Sequence, residues 1–246
     1  MLMKRITAVL LLCAAGAASA ADITVSAAAS LNNAFREAAA AYEAGHPGDK
    51  VLLNFGASDA LVAQIAKGAP VDVFASADQD AMDKAQPHVA PGSRRDFASN
   101  RLVLAVPSNS SLNPIALADL VQPGVKRLTT GNPASVPVGR YTRGALEKSG
   151  HWLALEPKFV FAANVRQALD YIARGEVDAG FVYQTDVAAQ VDKVRSVLAV
   201  PTAAPITYPL AVIKDAPNAA GARGFVQFIL SASGQAILAR HGFGKP

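Results

Sequence analysis

Apolar runs typical of strands alternate along this chain with amphipathic stretches typical of helices. Near the beginning, strands are predicted over residues 23–28, 50–55 and 71–75, and helices over 32–44 and 60–67. Glycine and proline follow each of these two helices, where they would end it. A strand followed by a helix, repeated, is the pattern of a parallel sheet covered by helices, so an α/β fold is predicted.

Two continuous apolar runs, "RLVLAVP" at 101–107 and "YPLAVIK" at 208–214, are interpreted as the places where the chain passes between two domains. A second α/β set lies between the runs. Its predicted elements include helices over 139–148 and 165–174 and a strand over 178–183. Two more helices, over 219–230 and 234–241, follow the second run and are expected to return to the first domain.

The most economical arrangement is therefore a two-lobed fold, in which each lobe is a sheet flanked by helices and two crossovers join the lobes. The first lobe is expected to contain residues 21–104 and 208–246, and the second lobe residues 105–207. Ligands of such folds bind in the crevice at the carboxyl ends of the strands. The search for a site therefore begins where predicted strands end.

Residues 1–20 have the pattern of a secretory signal peptide. Two basic residues precede an apolar stretch at 6–12, and an A-x-A cleavage site follows at 18–20. The apolar stretch is too short to span a bilayer. Cys13 follows a leucine instead of the small residue of a lipoprotein signal, so cleavage without lipid attachment is expected. The mature protein is expected to begin at Ala21 and to be soluble in the periplasm or outside the cell.

The composition argues against several classes of function. Cys13 is the one cysteine of the sequence, so the mature chain has neither a disulfide nor a thiol nucleophile. The formal charge of +4 falls to +2 when the two basic leader residues are removed, which is too mild to indicate a nucleic-acid partner. The sequence contains no nucleophile elbow, P-loop or dinucleotide-binding motif. Enzymatic activity therefore has little support.

The histidines do not indicate a metal or catalytic site either. They are isolated from one another, without metal-ligand spacing, near predicted helix ends or turns. These residues are His46, His88, His151 and His241. A solvated or capping role is the better interpretation of each.

A small hydroxyl or bare backbone recurs where a predicted strand gives way to a helix. The junctions are "AAAS" ending at Ser30, "FGAS" ending at Ser58, "GNPASVPVG" around Val138, "FAANVRQAL" around Val165, and "GFVYQTD" at Tyr183. Free N–H groups and the helix dipole at a helix start favour an anion. Each serine taken singly is better explained as a helix cap, and the tyrosine as the end of a buried strand. Five such junctions converging on one cleft would form a nest of donors for a small oxyanion.

The motifs resemble the periplasmic molybdate-binding proteins that serve ABC importers. The likeness is carried by "ITVSAAASLNNAF", "FGASDALVAQIAKGAPVDVFASADQDAMDKA", "GNPASVPVGRYTRGALEKSG", "NVRQALDYIARGEVDAGFVYQTD" and "YPLAVI", in conserved order over essentially the whole mature chain. The resemblance implies a type II periplasmic binding protein fold. It also implies an oxyanion held by the Ser30 and Ser58 hydroxyls, the Val138 and Val165 backbone amides, and Tyr183.

The resemblance further implies what this protein does and with what. The ligand would be molybdate or tungstate, delivered to the membrane permease of an ABC transporter. No cofactor is expected, and no metal other than the molybdenum of the oxyanion, which the same residues would bind. We expect a periplasmic monomer that is not an enzyme and has no nucleic-acid partner.

Asp59 departs from the family's pattern, which commonly has a small neutral residue after "FGAS". A carboxylate directed at a dianion would be strongly repulsive at short range. We therefore expect Asp59 to point away, favoured by the dipole at the first turn of its helix. Arg36, Arg140 and Arg166 lie near the site loops and are interpreted as exposed helix residues.

Two alternatives stay open. A binding protein for another small anion, such as sulfate or a small carboxylate, belongs to the same class, and an arginine directed into the cleft would favour a carboxylate. An exported α/β hydrolase belongs to a different class. It would need His151 or His241 within hydrogen-bond reach of Ser30 or Ser58.

Overall fold

The computed structural model describes residues 22–246, which form two five-stranded sheets with helices packed against them. The strands are β1 (Asp22–Ala28), β2 (Lys50–Gly56), β3 (Val73–Ala75), β4 (Arg95–Asn100), β5 (Leu102–Pro107), β6 (Leu128–Gly131), β7 (Phe159–Ala162), β8 (Ala179–Tyr183), β9 (Val194–Val200) and β10 (Ile206–Val212). The expected signal peptide, residues 1–20, lies outside the described residues.

Nine α-helices connect or flank these strands within residues 22–246. They are α1 (Asn32–Gly45), α2 (Ser58–Ala66), α3 (Gln79–Ala85), α4 (Pro137–Lys148), α5 (Trp152–Leu155), α6 (Val165–Ala173), α7 (Gln184–Ala188), α8 (Ala219–Leu230) and α9 (Ala232–Arg240). In this part of the chain, a helix with the length and apolar character of a membrane span is not found.

The two sheets have the same plan. Their strand orders are β2-β1-β3-β10-β4 and β7-β6-β8-β5-β9. In each sheet the first three strands of the order are parallel, and the fourth runs antiparallel to its neighbours. The carboxyl ends of the parallel strands thus lie together at one edge of each sheet, and the α/β class predicted from the alternating pattern is confirmed.

The chain crosses between the sheets at Arg101 and over residues 201–205. The run at 101–107 begins at the first crossover and continues as β5, and the run at 208–214 follows the second crossover and overlaps β10. β5 and β10 are the antiparallel strands of their sheets. A strand in the interior of a sheet covered on both faces has apolar side chains throughout, and β5 is buried along its whole length.

This pairing shifts both expected lobe boundaries by a few residues. Residues 102–104, expected in the first lobe, pair with β8 and β9 of the second sheet. Residues 206 and 207, expected in the second lobe, pair with β4 of the first sheet. From this strand pairing, we use first lobe for residues 22–100 with 206–246 and second lobe for residues 102–200.

Aromatic residues fill the core of the first lobe. Helix α1 buries one face, and its Phe35 ring lies 5.7 Å from the ring of Phe97 on β4 and 6.1 Å from Phe225 on α8. Tyr42, two turns further along α1, packs edge-on against Phe225 at 5.5 Å. Because α8 packs on β1 and β10 and α9 packs on α1, the C-terminal helices return to the first lobe, as predicted.

Candidate functional site

A small pocket lies between the two lobes, at the carboxyl ends of the parallel strands. Its volume, counted as room for the centre of a water-sized sphere, is about 10 Å³. All five predicted site residues line it: Ser30, Ser58, Val138, Val165 and Tyr183. The 3₁₀ turn after β1 supplies Ser30 and the start of α2 supplies Ser58. The starts of α4 and α6 supply the valines, and the end of β8 supplies the tyrosine.

The remaining lining is small, apolar or neutral. It consists of Ala28, Ala29, Gly56, Ala57, Ala77, Val136, Pro137 and Asn164. Among the described residues, the lining therefore includes no carboxylate and no basic side chain. Alanine and glycine leave the backbone open to close approach, so a compact ligand can reach main-chain N–H groups.

Ser58 is oriented as a donor by a backbone amide. Its side chain is fully buried, and its Oγ accepts a hydrogen bond from Ala77 N–H at 3.1 Å. Since that lone pair is occupied, the hydroxyl proton is available to an acceptor in the pocket. The hydroxyl does not cap α2, whose start has no side-chain cap.

Ser30 is buried in the short 3₁₀ turn between β1 and α1. Its Oγ lies 3.0 Å from the hydroxyl of Tyr208 on β10. Neither this turn nor α1 has a side-chain cap, so the capping role that explains a lone serine best does not apply to Ser30.

The two valines contribute main-chain N–H groups at helix starts. Val138 is the second residue of α4, and the carbonyl of Val136 accepts from the N–H groups of the two residues that follow Val138. Val165 is the first residue of α6, and the Asn164 side chain accepts from the N–H groups of the two residues after Val165. Both valine N–H groups are thus left without an intrahelical acceptor, as helix geometry requires at these positions.

Tyr183 ends β8 with its side chain 1% exposed. Its hydroxyl is buried and has no hydrogen-bond partner within residues 22–246. Burial raises the pKa of Tyr183 well above its usual value, so the hydroxyl stays protonated. A buried hydroxyl without a partner is costly, and a ligand acceptor in the pocket would satisfy it.

Asp59 does not line the pocket, as expected, and ion pairs add to the helix dipole that was predicted as the reason. Arg140, on α4 of the second lobe, donates from Nη2 to Asp59 Oδ2 at 2.6 Å and from Nε to Asp78 Oδ2 at 2.8 Å. Lys84 also pairs with Asp59. Charge pairing, and not only the helix dipole, therefore fixes the direction of Asp59. We call these four residues the Arg140 cluster.

The two carboxyl groups of the Arg140 cluster respond differently to their surroundings. Burial opposes ionisation of Asp59, but the hydrogen bonds from Lys84 and Arg140 outweigh it and lower the pKa of Asp59. Burial dominates at Asp78 and raises its pKa despite the Arg140 guanidinium. Arg140 is thus the cation that compensates two carboxyl groups at the lobe interface.

Arg166 crosses the interface on the other side of the pocket. Its Nη2 donates to the Ser30 carbonyl at 3.2 Å, and its Nη1 donates to Asn33 Oδ1 at 3.0 Å. Its Nε forms an ion pair with the fully buried Asp186, 3.0 Å from Oδ1, without the alignment of a hydrogen bond. Burial raises the pKa of Asp186 to about 6, against the opposing effect of Arg166.

The interpretation of Arg140 and Arg166 as exposed helix residues is therefore wrong: their side chains are only 19% and 22% exposed and join the two lobes. Helix periodicity could not show this, because each partner lies on a distant part of the chain. Arg36 stays on the outside, bonded to Asn32 and stacked over Phe55. None of the three arginines lines the pocket among the residues described.

The hydrolase alternative finds no support in the site. His241 Nε2 pairs with Glu37 Oε2 at 2.7 Å. Across residues 22–246, neither Ser30 nor Ser58 has a histidine as a hydrogen-bond partner. A group of three or more residues able to hold a metal ion is likewise not found in this part of the chain.

The chain is similar to known proteins over nearly its whole length. The chain matches, over residues 23–244, the family model described as bacterial extracellular solute-binding protein. It is 35% identical over 230 residues to the molybdate-binding protein ModA of Escherichia coli (strain K12), covering 90% of this chain and 88% of that protein.

Two solved structures are similar over almost the whole chain. The Azotobacter vinelandii periplasmic molybdate-binding protein superposes with a TM-score of 0.82 at 27% identity, covering 91% of this chain and 99% of that one. The sulfate-binding protein SubI from Mycobacterium tuberculosis H37Rv superposes with a TM-score of 0.78 at 21% identity, covering 90% and 86%. The expected two-lobed binding-protein fold is confirmed.

Proposed function

We propose that this chain, which belongs to the bacterial extracellular solute-binding proteins and among them to the molybdate-binding proteins, binds molybdate in the pocket between its lobes. It would do so outside the cytoplasmic membrane and deliver the anion to the permease of an ABC importer. Its role is binding for transport and not catalysis.

One observation carries the proposal: donors from both lobes converge on a pocket whose described lining has no charged side chain. Molybdate is a dianion with only acceptor oxygens, so it needs donors and is repelled by carboxylates. The Ser30, Ser58 and Tyr183 hydroxyls and the Val138 and Val165 amides meet that need.

The number of donors is sufficient for tight binding. Each charge-assisted hydrogen bond contributes on the order of 1.5 to 3 kcal/mol. Five such bonds would offset desolvation of the anion and leave a binding free energy of about −8 kcal/mol or better, which corresponds to micromolar affinity or tighter.

The position of the donors on both lobes also explains how a transporter would recognise the loaded protein. Two of the side-chain donors lie in the first lobe, while Tyr183 and both amides lie in the second. An anion that contacts both lobes stabilises their closed arrangement through contacts absent from an open one. We propose that the permease recognises this closed arrangement of a monomeric binding protein.

Other tetrahedral anions test the selectivity. Tungstate has the same charge and nearly the same size as molybdate, so comparable affinity is proposed. Sulfate has the same charge and a smaller radius, so cavity size has to discriminate against it. A carboxylate ligand is disfavoured because the pocket lining described here lacks the arginine that would clamp it.

The experiment is a calorimetric titration of the anion-stripped mature protein with molybdate, tungstate, sulfate and phosphate. We expect tight binding of molybdate and tungstate only. Tight binding of sulfate without molybdate would overturn the proposal.

Variants of the two serines test the site itself. Ser30→Ala and Ser58→Ala should each weaken molybdate binding by roughly 1 to 3 kcal/mol. Ser93→Ala is the control, because its hydroxyl bonds to the Ala90 carbonyl in the same lobe and lies outside the pocket. Unchanged affinity in both site variants would mean that the serine hydroxyls do not bind the anion.

A further inference from the structure

A chain of hydrogen bonds with a fixed direction leads from the end of β4 to Ser30. Asn100, the last residue of β4, accepts a hydrogen bond at Oδ1 from Arg101 N–H, 2.9 Å away. This backbone donor fixes which end of the carboxamide is the oxygen. The Nδ2 group is thereby directed at two hydroxyls, Thr185 Oγ1 at 2.9 Å and Tyr208 at 3.2 Å.

The direction then passes from one hydroxyl to the next. Because Asn100 Nδ2 can only donate, the Tyr208 oxygen accepts from it. A tyrosine hydroxyl has one proton, and the neighbour left to receive it is Ser30 Oγ at 3.0 Å. Ser30 Oγ therefore accepts from Tyr208, and its own proton is directed into the pocket.

The surroundings of Tyr208 preserve this direction. The Tyr208 side chain is fully buried, Ser30 is 2% exposed, and the rings of Phe97 and Phe243 pack edge-on against Tyr208 at 6.4 and 5.5 Å. Burial raises the pKa of Tyr208 well above its usual value, so its proton is retained. Ser58 is likewise held as a donor, in its case by a single hydrogen bond that its Oγ accepts from the backbone N–H of Ala77.

We propose that Asn100 and Tyr208 are positioning residues for anion binding, which hold the Ser30 hydroxyl as a hydrogen-bond donor towards the ligand. This inference rests on the proposed function and deepens it. With both serines held as donors, neither serine hydroxyl is oriented to accept the proton of an oxyanion that carries one, such as hydrogen arsenate. We call the chain of hydrogen bonds from Asn100 through Tyr208 to Ser30 the relay. The relay thus favours fully deprotonated tetrahedral anions.

The test is a double-mutant cycle on molybdate affinity with Tyr208→Phe and Ser30→Ala. Tyr208→Phe keeps the buried ring and removes the relay, and we expect a fivefold to twentyfold loss of affinity. In the Ser30→Ala background the same change should alter affinity by less than twofold, because the relay acts through Ser30. Preference for molybdate over hydrogen arsenate, measured by competition at pH 8, should narrow in Tyr208→Phe.

Tyr42→Phe is the matched control. It removes a hydroxyl that donates to Asp49 from a buried tyrosine of the same lobe, outside the pocket, and should leave both affinity and preference unchanged. Asn100→Ala, which keeps Tyr208, provides a second approach to the relay, and its loss of affinity should also disappear in Ser30→Ala. Melting temperatures of all variants identify any that fail to fold.

Two outcomes would overturn the relay: unchanged affinity in Tyr208→Phe, or losses from Tyr208→Phe and Ser30→Ala that simply add. The second would mean that the Tyr208 hydroxyl acts independently of Ser30. Failure of the wild-type protein to bind molybdate is a separate result, which overturns the proposed function. In that case the cycle is measured with whichever of tungstate or sulfate the wild type binds. The measurement then still tests whether Tyr208 acts through Ser30.

Discussion

At the scale of single residues, the Tyr183 hydroxyl combines two properties that rarely occur together. It is buried, and it has no hydrogen-bond partner within the described part of the chain. Leaving a buried hydroxyl unsatisfied costs about 1 to 3 kcal/mol. Such a cost at a pocket is explained if the group is reserved for a ligand.

Tyr183→Phe should therefore change stability and binding in opposite directions. Removing an unsatisfied polar group should leave the free energy of unfolding unchanged or raise it by about 1 kcal/mol without anion. Molybdate affinity should fall by roughly tenfold to a hundredfold, because one charge-assisted bond is lost. Chemical denaturation and calorimetric titration measure the two effects, and a parallel decline in both would contradict this account.

Asp186 should give stability a characteristic dependence on pH. Its pKa of about 6 in the folded protein lies above the value of about 3.9 expected in the unfolded chain. The contribution of this group is therefore fully present below about pH 4 and is lost as pH rises through 6. Two pKa units correspond to at most about 3 kcal/mol.

Asp186→Asn keeps the acceptor for Tyr183 N–H and removes the ionisation. The free energy of unfolding of wild type minus that of the variant should fall between pH 4 and 7 and then level off. Denaturant titrations at half-unit pH steps measure this difference. Asp83→Asn, at an exposed carboxylate on α3, is the control, and an equal slope for both variants would refute the assignment to Asp186.

At the scale of elements, the start of α4 brings a main-chain donor to the pocket through a close approach. A Cβ on Gly139 would lie 2.0 Å from the Gly131 carbonyl oxygen and 2.8 Å from Pro133 N. The absent side chain lets the helix start fold back over the loop that follows β6. Val138, the preceding residue, is held at the pocket by this packing.

Gly139→Ala should consequently displace the start of α4. We expect a loss of about 1 to 3 kcal/mol in stability from overpacking and weaker molybdate binding because Val138 N–H moves. Gly144→Ala in the same helix is the matched control: nothing lies within 4 Å of its Cβ, so it should stabilise by up to about 1 kcal/mol. Thermal unfolding and titration compare the two, and equal behaviour would contradict the close-approach argument.

Sequence patterns predicted the elements that carry strong local signals and missed those that do not. The strands that went unpredicted, β4, β7 and β9, all lie at an edge of their sheet. An edge strand is partly exposed, so its apolar pattern is weak. β9, for example, reads "VRSVLAV", and only its two end residues are buried.

In the site, too, some residues could be predicted from the sequence and others could not. The five pocket residues lie where predicted strands end or predicted helices begin, and the structure brings them together. Asn100 and Tyr208 carry no such signal, because their importance lies in contacts between residues more than a hundred positions apart in the chain. The direction of a hydrogen bond depends on those contacts, and a single sequence does not contain them.

At the scale of the whole molecule, two arginines join the lobes on either side of the pocket. Both come from the second lobe and reach groups of the first: Arg140 reaches Asp59 and Asp78, and Arg166 reaches Ser30 and Asn33. Neither lines the pocket, so the two arginines join the lobes without adding a positive charge to the pocket lining.

Arg140→Ala should show what the Arg140 cluster contributes. Two carboxyl groups at the lobe interface would lose their shared cation, and their repulsion would oppose both closure and a dianion nearby. We expect molybdate affinity to fall at least tenfold, about 1.4 kcal/mol. Arg143→Ala, one turn along the same helix and paired only with Glu147 in its ion-pair contacts here, should leave affinity unchanged. Equal losses in both variants would point to a general effect of positive charge.

The uncharged lining of the pocket has an electrical consequence for the loaded protein. Hydroxyls and amides hold an anion without giving up or taking up a proton, so both negative charges of the anion are added in full to the protein. If the expected signal peptide is removed, the chain has a formal charge of +2, and a bound dianion brings its net charge to zero. Loading would thus shift the isoelectric point, and electrophoresis under native conditions would separate the loaded molecules from the others.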